Sequence, residues 1–109
     1  TRLETRVPGA DINPYLAIAG ALAAGLYGIE HQLKLPTKLV KGSAYDQAIG
    51  LPLPQDLGAA AGAMKGWEGA SDLLGHEFTE HFIRTREWEW EQFLSTVTDW
   101  ERRRYFELS

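Results

Sequence analysis

At the head of the chain polar and apolar positions alternate one by one: Arg2, Glu4 and Arg6 occupy one set, Leu3, Thr5 and Val7 the other. A period of two belongs to a strand, whose successive side chains point to opposite faces. Pro8-Gly9 then breaks the pattern. The alternation predicts a β-strand over about 2–7, with Arg2, Glu4 and Arg6 on one face. A lone strand cannot satisfy its own backbone groups. It calls for neighbouring strands that this sequence does not contain, so the chain reads as truncated at its start.

The period changes at Asn13-Pro14. Asn is a good cap, because its side chain accepts from an orphan amide, and Pro suits the first helical position. Tyr15, Ile18, Leu22, Leu26, Ile29 and Leu33 then recur at three or four, which predicts a helix over about 14–33, roughly 30 Å long. Ala19, Gly20, Ala23, Ala24, Gly25 and Gly28 fill much of the remaining circumference. A glycine costs about 1 kcal/mol against alanine inside a helix, so close approach of another backbone explains them, and the helix is expected to be enclosed on more than one side.

From 36 to 55 no period is sustained, and prolines and glycines bracket the short runs Leu39-Val40 and Tyr45 to Ile49. This reads as a long irregular connection, of a length that usually carries an interface or a site. Asp56 is placed to cap a helical stretch over about 56–74 that carries Leu57, Met64 and Trp67 and, in a second short piece, Leu73 and Leu74. His76 to Val97 has a broad apolar stripe in Phe78, Phe82, Ile83, Trp90, Phe93, Leu94 and Val97 and predicts a long helix. Thr98 and Glu101 have the spacing of a capping box, which starts a last helix over about 99–107. The expected fold class is a mainly all-α fragment with one N-terminal β-strand.

Composition narrows the function classes. A formal charge of −4 argues against nucleic acid, whose backbone requires a concentrated positive surface. The absence of cysteine removes disulfides, thiol nucleophiles and thiolate zinc sites, and is compatible with a cytoplasmic protein. The apolar run from Tyr15 to Leu26 is too short for a membrane span, and no secretory signal is visible. Four Trp, four Tyr and four Phe form a heavy aromatic load, most of which is expected to pack.

Candidate chemistry sits in a few places. In His76-Glu77-Phe78-Thr79-Glu80-His81 the histidines are five apart, whereas a helical zinc pair requires four; the segment reads as an ordinary solvated turn. Glutamates between Glu68 and Glu101 read as a solvated flank. Arg102-Arg103-Arg104 reads as a complement to the dipole of the last helix. For Arg2, Glu4 and Arg6 two readings stand level. They are cross-strand ion pairs, or Glu4 holds a divalent cation while the arginines neutralise oxyanions, since hard cations take carboxylate oxygens and guanidinium matches oxyanions through its fork.

Arg2-Leu3-Glu4-Thr5-Arg6, Pro8, Asn13-Pro14-Tyr15-Leu16-Ala17 and Gly25-Leu26-Tyr27-Gly28-Ile29-Glu30, continued by Gly42-Ser43-Ala44-Tyr45-Asp46, resemble the carboxy-terminal part of the glutamine synthetase family. The resemblance covers essentially the whole chain. The ending Val97 to Phe106 resembles the branch of gamma-glutamylpolyamine and other gamma-glutamylamide synthetases.

The resemblance implies that the N-terminal strand belongs to an α/β catalytic domain and that residues 1–109 are one carboxy-terminal fragment of it. It further implies that Glu4 ligates Mg2+ or Mn2+, that Arg6 contacts glutamate and the transferred phosphoryl group, and that Arg2 contacts the phosphates of ATP. Tyr45 falls near a tyrosine that some bacterial members adenylylate, but the surrounding motif is absent. The implied activity is an ATP-dependent ligase that joins the gamma-carboxylate of glutamate to an amine, or to ammonia, through a gamma-glutamyl phosphate. The expected parent is a ring-forming cytoplasmic homo-oligomer with no nucleic-acid or membrane partner, and the fragment alone is expected to be inactive. Trp88, Trp100 and Phe106 read first as core residues, with an interface as the alternative. A non-catalytic helical interaction or oligomerisation module is the remaining reading; it expects a gene that begins near Thr1, whereas a ligase expects a long upstream coding region.

Overall fold

A computed structural model of the chain describes residues 2–35, 42–43 and 52–106. The chain divides into two compact units, Thr1–Pro52 and Leu53–Ser109.

In the first unit, residues 2–7 form no strand, and there is none anywhere among the described residues. The expectation of an N-terminal β-strand is thereby corrected: the described fold is all-α. Alternation gives one segment two faces, but a ladder takes its hydrogen bonds from a second strand, and none of the described residues provides one.

Helix α1 runs Pro14–Glu30. Its start is the Asn13 cap, whose Oδ1 accepts from the Tyr15 and Leu16 amides at 3.0 and 3.3 Å, with Pro14 at the first position. Its end lies short of the expected 33. Gln32 takes φ +49, and the amides of Gln32 and Leu33 turn back to the Ile29 and Gly28 carbonyls at 3.1 and 2.9 Å. This is the double bond of a Schellman motif, which closes a helix through a left-handed residue. Leu33 keeps the apolar register because it is the second residue past the cap, so periodicity alone carried the helix too far. No residue of α1 is buried.

The second unit holds α2 Leu57–Lys65, α3 Gly69–Leu74, α4 His76–Ser95 and α5 Asp99–Tyr105. Asp56 caps α2, with Oδ1 accepting from the Ala59 amide at 2.7 Å. α2 and α3 both pack on α4. Gly75, at φ +86, separates α3 from α4. Its amide donates to Ser71 O at 2.9 Å and its carbonyl accepts from Thr79 at 3.0 Å, so one residue serves two helix ends.

The packing uses small residues. Ala61, Ala70 and Ile83 are the buried apolar residues of the described chain, with Thr79 beside them donating its hydroxyl to Ala70 O at 3.2 Å. Gly58 and Gly69 are the points of closest approach. A methyl built on Gly58 would lie 2.5 Å from Trp90 Nε1, and one on Gly69 2.5 Å from the Trp67 ring. These two glycines let large indoles lie against helix backbone.

α4 ends at Ser95, two residues before the expected Val97, where Thr96 turns extended and its hydroxyl bonds back to Gln92 O at 2.8 Å. α5 opens with the capping box read from the spacing: the Glu101 amide donates to Thr98 Oγ1 at 3.2 Å and the Thr98 amide to Glu101 Oε2 at 2.8 Å. Trp88, Trp100 and Phe106 are exposed, at 63%, 62% and 85%. Their first reading as core residues does not hold, because the α2–α3–α4 packing is too small to reach them. The expected connection over 36–55 lies mostly outside the described residues, as do Leu39, Val40 and Tyr45. No helix among the described residues is long and apolar enough to cross a membrane.

Candidate functional site

The residues singled out at the chain's head do come together. Glu4 lies between two guanidiniums: Arg6 Nε donates to its Oε1 at 2.7 Å, and Arg2 stands 3.3 Å from its Oε2. Alternate residues on a short segment reach one another this way without a second element. All three side chains are well exposed. Exposed pairs of this kind contribute about 0–1 kcal/mol each, so the triplet does little for stability. Its chemical content is a surplus of one positive charge and guanidinium donors left over for further acceptors, since each guanidinium carries five N–H groups.

The carboxylate is the right kind of ligand for a hard cation, but the number of donors is insufficient. Such ions take about six or more oxygens, and no group of three or more His, Asp or Glu side chains that could hold a metal exists among the described residues. Both Glu4 oxygens face arginine nitrogens. The described residues therefore do not hold a cation by themselves.

Other candidates resolve into local pairs. Glu80 lies 4.0 Å from His76 and 2.8 Å from Arg84 along α4. In the basic run, Arg102 approaches Asp99 at 3.7 Å, Arg103 Nε donates to Asp99 O at 3.2 Å, and Arg104 stands 5.8 Å over the Tyr105 ring. These arginines interact with their own helix, as their position in its last turn suggests. Glu101 is held below the usual carboxylate range first by the Thr98 amide and then by the Thr98 hydroxyl.

A groove of about 400 Å3, lined by Met64, Trp67, Thr79 and Ile83 among others, was not apparent from the sequence. Its rim carries the Lys65–Glu87 pair at 2.7 Å. No local signal points to it, because it forms only where α2 and α3 meet α4.

Comparison with known proteins identifies the class. The glutamine synthetase catalytic-domain family matches residues 1–105, and the chain belongs to that family. Among similar proteins are a type-1 glutamine synthetase of Dictyostelium discoideum, 41% identical over 99% of this chain and 21% of its own length, and a glutamate–isopropylamine ligase of a Pseudomonas species, 43% identical over 98% and 24%. A gamma-glutamylethanolamide synthetase of Streptomyces coelicolor is 42% identical over 97% and 22%. The chain thus spans between a fifth and a quarter of the length of these relatives. No solved structure matches it.

Proposed function

We propose that the chain is a carboxy-terminal part of the catalytic domain of an ATP-dependent ligase that joins the gamma-carboxylate of glutamate to an amine. The observation that carries this reading is the family match across residues 1–105 together with the Arg2–Glu4–Arg6 triplet at its start. Two of the similar proteins are named for joining glutamate or a gamma-glutamyl group to isopropylamine or ethanolamine. This favours an amine as nucleophile. Ammonia is the second reading, favoured by the glutamine synthetase name of the Dictyostelium relative.

In the reaction, a gamma-carboxylate oxygen attacks the terminal phosphorus of ATP. The bond to the bridging oxygen breaks and ADP leaves. The amine lone pair then attacks the acyl carbon, inorganic phosphate departs, and the nitrogen loses a proton. Arg6 holds the glutamate carboxylate and the moving phosphoryl oxygens, and Arg2 holds nucleotide phosphate. Guanidinium suits both, because its fixed fork matches planar carboxylate and phosphate oxygens. Charge held in place before the reaction lowers the barrier without reorganisation. Glu4 orients both arginines, and its carboxylate would be one ligand to Mg2+ or Mn2+. When bound, such an ion withdraws negative charge from the phosphoryl group.

With no group of three or more His, Asp or Glu side chains that could hold a metal among the described residues, the chain alone is expected to show no ligase activity. For the parent we infer a cytoplasmic, ring-forming homo-oligomer; the exposed Trp88 and Trp100 support only that further protein surface covers them, since aromatics are enriched in interface cores. The test is phosphate release by the full-length protein with ATP and glutamate, while ammonia, isopropylamine, ethanolamine and polyamines are offered in turn. Turnover dominated by an amine is expected. Dominance of ammonia overturns the amine reading, and absence of phosphate release with every nucleophile overturns the ligase.

A further inference from the structure

We draw no further inference here: the strongest candidate, the exposed apolar face of α1 carrying Ile18, Leu22, Leu26 and Ile29, is unpartnered among the described residues, and nothing in the structure shows what covers it.

Discussion

Gly58 and Gly62 lie one turn apart on α2 and make a controlled comparison. Alanine at either position gains up to about 1 kcal/mol of helix propensity. At Gly62 a new methyl meets nothing within 4 Å, so Gly62→Ala is expected to stabilise by most of that amount. At Gly58 the methyl would stand 2.5 Å from Trp90 Nε1 and 2.7 Å from Cδ1. The indole has to move away from the helix, and overpacking of this kind costs about 1–3 kcal/mol. The opposing terms leave Gly58→Ala between neutral and about 2 kcal/mol destabilising. The two alanine variants should therefore differ by about 1–3 kcal/mol. On the scale of a domain of roughly 60–100 residues, 1 kcal/mol shifts the midpoint by about 4–8 °C, which thermal unfolding followed by far-UV circular dichroism resolves. Repeating Gly58→Ala in a Trp90→Leu background isolates the contact, since a double-mutant cycle removes the intrinsic terms. There the substitution is expected to become stabilising. Equal midpoints for the Gly58 and Gly62 variants, or a Gly58 penalty that survives without the indole, would refute the packing described.

Four helix-end substitutions and one at the head of the chain extend the test. Gln32→Gly removes a side chain from a left-handed position and is expected to stabilise the α1 terminus by up to about 1 kcal/mol, read as increased helicity, because only glycine takes that conformation freely; a loss of helicity would rule out the Schellman ending. Asn13→Ala removes the acceptor of two amides and should cost about 1 kcal/mol of α1 stability, seen as faster amide exchange at Tyr15 and Leu16. For Thr98→Ala a similar loss of about 1 kcal/mol is expected in α5. Because Glu101 is lowered in the folded state, its contribution is fully present above the ordinary glutamate pKa of about 4.3 and disappears as pH falls through the lowered value; a Glu101→Gln chain should lack that acid-side decline. In the full-length protein, Glu4→Gln keeps shape but removes charge, so more divalent cation should be needed for half-maximal turnover and phosphoryl transfer should fall by about 10²-fold; an unchanged metal response would place Glu4 away from the cation.

What could be read without coordinates follows from the range of each interaction. The Asn13, Asp56 and Thr98 caps act over two or three residues, so residue type and spacing were enough to locate the starts of α1, α2 and α5. The Arg2–Glu4–Arg6 association is equally local, although the spacing was read as a strand face paired to another strand or to a cation, not as pairs within one segment. Helix ends were less legible. Gln32 carries no glycine signal for its left-handed turn, and the apolar register ran on through Leu33 past the true end of α1. The strand failed for a different reason: alternation is a property of one segment, whereas a strand exists only with a second.

Burial belongs to the same nonlocal class. Trp90 and Trp88 are both large aromatics on α4, yet one lies against Gly58 while the other is exposed, and only the position of α2 separates them. The amino-acid order by itself determined where helices begin, which charges meet within a turn, and the motifs that mark the family. Tertiary structure alone decided which apolar stripes found a partner, because covering a surface requires atoms from elsewhere in the chain, and their arrival is not encoded in the spacing of the residues they cover.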